Sequence, residues 1–148
     1  MPSRSSDLGR LVQELVNRVS HRGGGRALRL MEQAGVTLPQ VLLLTRVQER
    51  GECTVSDLAH SLNLTPSAVS QAADKLVQSK LLTRVEDVAD RRRKRLALAA
   101  RGNKLLDEVV AARADQYAAE LERLDPSLRW KLADVIHEVL NALAREKR

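Results

Sequence analysis

The sequence predicts a mainly α-helical chain with one small β-hairpin. Two observations carry this. Apolar residues recur at helical spacing over most of the length, and the period drops to two at one place, on either side of a charged loop. The 148 residues make about one domain on a prior of roughly 100–200 residues per domain.

Leu8, Leu11, Val12, Leu15, Val16 and Val19 form one helical stripe, with Ser6 or Asp7 as its expected N-cap. Gly23-Gly24-Gly25 then interrupts it, because each glycine costs a helix roughly 1 kcal/mol against alanine. Helicity resumes through Ala27, Leu28, Leu30 and Met31 and stops at Gly35, a residue suited to a left-handed cap. Thr37-Leu38-Pro39 opens the next helix with a capping hydroxyl and an early proline. Val41, Leu42, Leu44, Thr45 and Val47 carry that helix to Arg50-Gly51.

Thr54-Val55-Ser56-Asp57 fits a capping box ahead of a short helix with Leu58, Ala59 and Leu62. Asn63 tolerates the positive φ of a tight turn. Thr65-Pro66 starts a further helix, running to about Ser79. Leu81, Thr83 and Val85 then alternate with Leu82, Arg84 and Glu86, and Arg93, Arg95 and Ala97 with Lys94, Leu96 and Leu98. These are the two strands of the hairpin. From Arg101 onward one helix carries Leu105, Leu106, Val109, Val110, Ala114, Tyr117 and Leu121. Asp125-Pro126 separates it from a last helix with Leu128, Leu132, Val135, Ile136, Val139, Leu140 and Leu143.

The segment 54–79 is the most informative. Ala59 permits a close helix crossing, Asn63 makes the turn, and Val69 packs back from the second helix. That spacing is the one a DNA-binding helix-turn-helix needs. On the second helix Val69, Ala72, Ala73 and Leu76 fall inside, and Ser67, Ser70, Gln71, Asp74, Lys75 and Gln78 outside. The slim, polar start suits a major groove, where Gln71 can bind adenine bidentately and serines reach phosphates or base edges. Asp74 opposes phosphate, so it is expected to point away from the DNA backbone or to pair with a cation. In the hairpin Arg91 to Arg95 are consecutive cations. Arginines at a hairpin tip can enter a narrow minor groove, with Asp90 orienting the Arg92 guanidinium. The balance of 25 basic against 19 acidic residues, net +6, with a pI near 10.1, suits a polyanionic partner.

These residues resemble the winged helix-turn-helix of the MarR family of bacterial transcriptional regulators. The likeness rests on TVSDLAHSLNLTPSAVSQAADKLVQSKLL, then Asp90-Arg91-Arg92, then Leu96, Leu98 and Gly102, and the order of helices extends it over nearly the whole chain. It implies a winged helix-turn-helix with long N- and C-terminal dimerisation helices. The expected divisions of one compact domain are an N-terminal dimerisation region at 1–36, a DNA-binding region at 37–100 and C-terminal dimerisation helices at 101–148. It implies a homodimer on a pseudo-palindromic operator in double-stranded DNA, acting as a repressor relieved by a small-molecule effector whose site is unknown. Carried onto matching positions, Thr65, Ser67, Ser70, Gln71 and Lys75 are recognition-helix contacts. Arg92 is the wing arginine, Asp90 its partner, and Arg91 and Arg93 its neighbours. The sequence departs from the family at Lys80, where glycine is usual, at Ala99, where a capping threonine is usual, and at Gly23 to Gly25, inside what is normally one helix.

Independently of the resemblance, the long terminal apolar stripes point to a second copy that covers them across a two-fold interface, with an intramolecular bundle as the alternative. The alternative function is a helical protein-interaction adaptor that kept the fold without DNA binding, against which the arginine run speaks. No G-x-S-x-G, P-loop or H-E-x-x-H motif is present, so no enzyme is expected. His21, His60 and His137 stand far apart and Cys53 is the single cysteine. No metal site, cofactor or disulfide is therefore expected. Cys53 reads as a structural thiol. No apolar run approaches a membrane span and the first residues lack a signal-peptide h-region, which points to the cytoplasm.

Overall fold

A computed structural model describes residues 4–20, 25–87 and 94–145. Its elements are α1 (Arg4–Ser20), α2 (Gly25–Ala34), α3 (Leu38–Arg50), α4 (Val55–Leu62), α5 (Pro66–Gln78), β1 (Leu82–Glu86), β2 (Lys94–Leu98), α6 (Ala100–Leu121) and α7 (Pro126–Arg145). They divide into two units, residues 25–112 and residues 1–24 with 113–148, with α6 running through both.

In the 25–112 unit the core is wholly aliphatic apart from Cys53. Leu43, Leu44, Val47, Leu58, Val69, Leu76, Leu81, Leu82 and Leu96 are all essentially fully buried. Each such leucine contributes about 2 kcal/mol on transfer from water. Leu42, which falls in the expected stripe of α3, is instead 52% exposed, and Leu43 takes the core position. Thr37 and Gln40 close the N-terminus of α3, the Gln40 Oε1 accepting the Thr37 backbone N–H at 2.8 Å. Gly35 ends α2 at φ 66°, where the Val36 N–H donates to the Met31 carbonyl.

The strands pair antiparallel, Leu82 opposite Leu98 and Glu86 opposite Lys94. Strict alternation fails at the start of β1, because Leu81 and Leu82 are both buried. Leu81 precedes the strand and follows a left-handed residue, Lys80, at φ 58°. Cys53 adds a one-residue antiparallel bridge to Leu96, with backbone hydrogen bonds of 3.1 and 2.8 Å. Sequence patterning gives no sign of that bridge, since a single paired residue has no periodicity to detect.

In the other unit α1 begins at Arg4, so Ser6 and Asp7 lie inside its first turns and are not its cap. The Asp7 side chain instead accepts from Arg10 at 2.7 Å, an i, i+3 pair that tolerates helix entry upstream. Gln116 of α6 donates to the Ser20 carbonyl at 2.6 Å, satisfying a free group at the end of α1. Gly25 opens α2, while Gly23 and Gly24 lie outside the described residues. Asp125 caps α7, its Oδ1 accepting the Ser127 N–H at 2.8 Å. No described residue of α7 is buried. Ile136, Val139, Leu140 and Leu143 are about half exposed, as are Leu8, Leu11 and Val12 of α1, and Trp130 is 73% exposed. No helix among the described residues is long and apolar enough to cross a membrane.

Candidate nucleic-acid interface

The site is built from two short helices and the turn between them. Thr54 caps α4 reciprocally. Its hydroxyl accepts the Asp57 N–H at 3.1 Å and its own N–H donates to Asp57 Oδ2 at 2.9 Å. That N–H, with the Thr54 hydroxyl donating to the same Oδ2 at 2.8 Å, holds the Asp57 carboxyl below its usual range. Asn63 adopts φ 53° and ψ 45°, and the Leu64 N–H reaches back to the Ala59 carbonyl at 2.9 Å. Ala59 is buried at the crossing, where a larger side chain would push the helices apart.

α5 follows with Thr65 as N-cap, its hydroxyl accepting the Ala68 N–H at 3.2 Å, and with Pro66 in the first turn. Val69, Ala73 and Leu76 are buried, which fixes the rotation of the helix about its axis. Thr65, Ser67, Gln71 and Lys75 are exposed and Ser70 is half-buried. Ser67, Gln71 and Lys75 therefore lie on the outward side of the helix, with Ser70 half-buried at its edge and Thr65 exposed at its N-cap. Asp74 also lies on this helix, half-buried, and its Oδ1 accepts from Nη2 of Arg84 on β1. The expectation that Asp74 finds a cation thus holds. Arg84 itself belongs to no motif, and nothing in the sequence singles it out.

The C-terminus of α5 is closed by a left-handed turn. The Leu81 N–H donates to the Leu76 carbonyl at 2.9 Å and the Lys80 N–H to that of Val77 at 3.0 Å. Arg101 of α6 adds a bond from Nη1 to the Ser79 carbonyl at 3.1 Å. Toward the loop end of the hairpin, opposite Val85, Arg95 donates from Nη2 to the Glu52 carbonyl at 2.6 Å and approaches Asp87 at 3.4 Å. The bond to Glu52 ties the hairpin to the turn that precedes α4. The wing residues Asp90, Arg91, Arg92 and Arg93 lie outside the described residues.

Cys53 is 3% exposed, and burial is the first cause raising its thiol pKa, as a structural thiol requires. Among the described residues no group of three His, Cys, Asp or Glu could hold a metal ion. A cleft of about 240 Å³ in the 25–112 unit is lined by Leu30, Gln33, Leu81, Arg101, Lys104 and Glu108, among others.

A family model described as the MarR family matches residues 36–94. The HTH-type transcriptional repressor MdtR of Bacillus subtilis (strain 168) is 31% identical over 121 residues, 82% of this chain and 78% of MdtR. The crystal structure of the YusO protein from Bacillus subtilis is similar with a TM-score of 0.68 at 30% identity, covering 93% of this chain and 95% of YusO. The S. aureus MepR-DNA complex is similar in fold, with a TM-score of 0.69 at 24% identity, covering 88% of this chain and 98% of MepR.

Proposed function

The chain belongs to the MarR family of transcriptional regulators, and we propose that it is a homodimeric repressor that binds double-stranded DNA and releases it on meeting a small molecule. The observation that carries the proposal is the exposed polar start of α5, set on a helix whose opposite face is locked into the core. Ser67, Ser70 and Gln71 read base edges in the major groove, and Thr65 and Lys75 hold phosphates. Arg92, oriented by Asp90 and flanked by Arg91 and Arg93, reaches the minor groove or the backbone from the wing. MdtR, named as a repressor, and MepR, solved with DNA, support this reading.

A second copy covers the apolar stripes of α1 and α7 and sets two reading helices about 34–36 Å apart on a pseudo-palindromic operator. The site of action is the cytoplasm, where the DNA is.

The test is a titration of a duplex from the gene's own upstream region at two salt concentrations. Binding that weakens steeply with salt is expected. Gln71→Ala should cost about 1–3 kcal/mol and relax specificity at one base pair, whereas Arg92→Ala should weaken all sequences alike. Absence of salt-sensitive binding by the wild-type chain overturns the proposal in favour of a protein-interaction adaptor.

A further inference from the structure

Asp74 is the one acidic residue of α5. It follows Ser67, Ser70 and Gln71 at spacings of seven, four and three residues, so it shares their helical face. A bare carboxylate there would face the phosphates that the rest of this surface attracts, and like charges brought together oppose association. In the structure it is not bare. Arg84, ten residues on and in the middle of β1, donates to it.

Burial does not account for the pair. The side chains of Arg84 and Asp74 are 39% and 49% exposed. Ion pairs that open to solvent add little to folding stability. What the pair does change is the charge on the DNA-facing stripe and the connection between the reading helix and the first wing strand.

We propose that Arg84 is a positioning residue for DNA binding. It acts through Asp74, cancelling that charge on the reading face. This rests on the assignment of α5 as the reading helix. Arg84 need touch no phosphate, and Asp74 need touch no base.

The experiment measures affinity for the same upstream duplex, by fluorescence anisotropy over a salt series. It compares the full-length wild-type chain with R84K, R84Q, D74N and the double variant R84Q/D74N. R84Q, which leaves the carboxylate uncancelled, should bind about tenfold more weakly with an unchanged salt slope. R84K should stay within about threefold of wild type, because a point charge suffices for masking. D74N should bind at least as tightly as wild type, and the double variant should return to within about threefold of D74N, the non-additivity expected of one coupled pair. Thermal melts should be nearly superimposable for all five proteins, a readout that a purely structural role would move.

A double variant as weak as R84Q, with its salt slope reduced by about one, would make Arg84 a direct phosphate contact and overturn the proposal. A D74N variant as weak as R84Q would make Asp74 a base-reading residue and overturn it equally. If the wild-type chain itself shows no salt-sensitive binding, the assignment of α5 fails first and this inference with it.

Discussion

Gly102 lies directly against the backbone of Leu81. A Cβ at position 102 would strike the Leu81 carbonyl oxygen and the Leu98 side chain. The same oxygen accepts the Ala99 N–H at 3.1 Å. The chain leaving α5 and the chain entering α6 are thus joined backbone to backbone. Gly102→Ala is expected to destabilise the protein by about 3 kcal/mol, since a clash with backbone has no rotamer to relieve it. Urea unfolding followed by circular dichroism measures this, and an unchanged midpoint would contradict it.

The reciprocal cap at Thr54 and Asp57 makes stability depend on acid. Hydrogen bonds from Thr54 lower the Asp57 pKa in the folded chain. A lowered folded-state pKa gives stability that is present above the unfolded value, near about 4, and is lost as pH falls through the folded value. Melting temperatures measured from neutral to acid pH should therefore fall less steeply below about pH 4 in Asp57→Asn than in wild type. At neutral pH Thr54→Ala should cost about 1 kcal/mol.

Lys80 holds φ 58° at the end of α5, a conformation that costs a side-chain-bearing L-residue about 1 kcal/mol or more. Its side chain is exposed, so little packing would be lost with it. Lys80→Gly should raise stability by about 0.5–1 kcal/mol, and Lys80→Val should lower it. Thermal unfolding of the two variants gives the sign in each case.

The stripe on α7 should be needed for self-association. Ile136 and Leu140 are 44% and 58% exposed within the single chain. Placing a carboxylate on that face by Leu140→Glu should shift the sedimenting species from two copies to one, as burying an unpaired charge at an interface demands. Sedimentation velocity decides this. A dimer that survives the substitution would place the contact elsewhere.

Much of this architecture is legible in the sequence because short-range chemistry decides it. The Thr54 capping box, the left-handed Asn63 and the outward face of α5 follow from three- and four-residue spacings. They appear where expected. Sequence reasoning does less well where long-range contacts decide. Ser6 and Asp7 have the chemistry of caps but serve inside α1, so the helix starts earlier than they suggest. Leu42 resembles a core residue because an apolar run of 41–44 does not reveal its own phase. Charge alone turns Asp74 away from the DNA backbone or toward a cation but does not identify that cation, since Arg84 is brought there by the turn at Lys80. The contribution of the wing tip rests on residue types alone.

The shortage of aromatic side chains has a practical consequence. Phe is absent, and the single Trp and single Tyr fall at 130 and 117, both in the helical unit of 1–24 and 113–148. The 25–112 unit, which carries α5, therefore has no intrinsic ultraviolet emitter of its own. With its indole open to water on α7, the native chain already holds a spectroscopic label for whatever comes to rest on that helix.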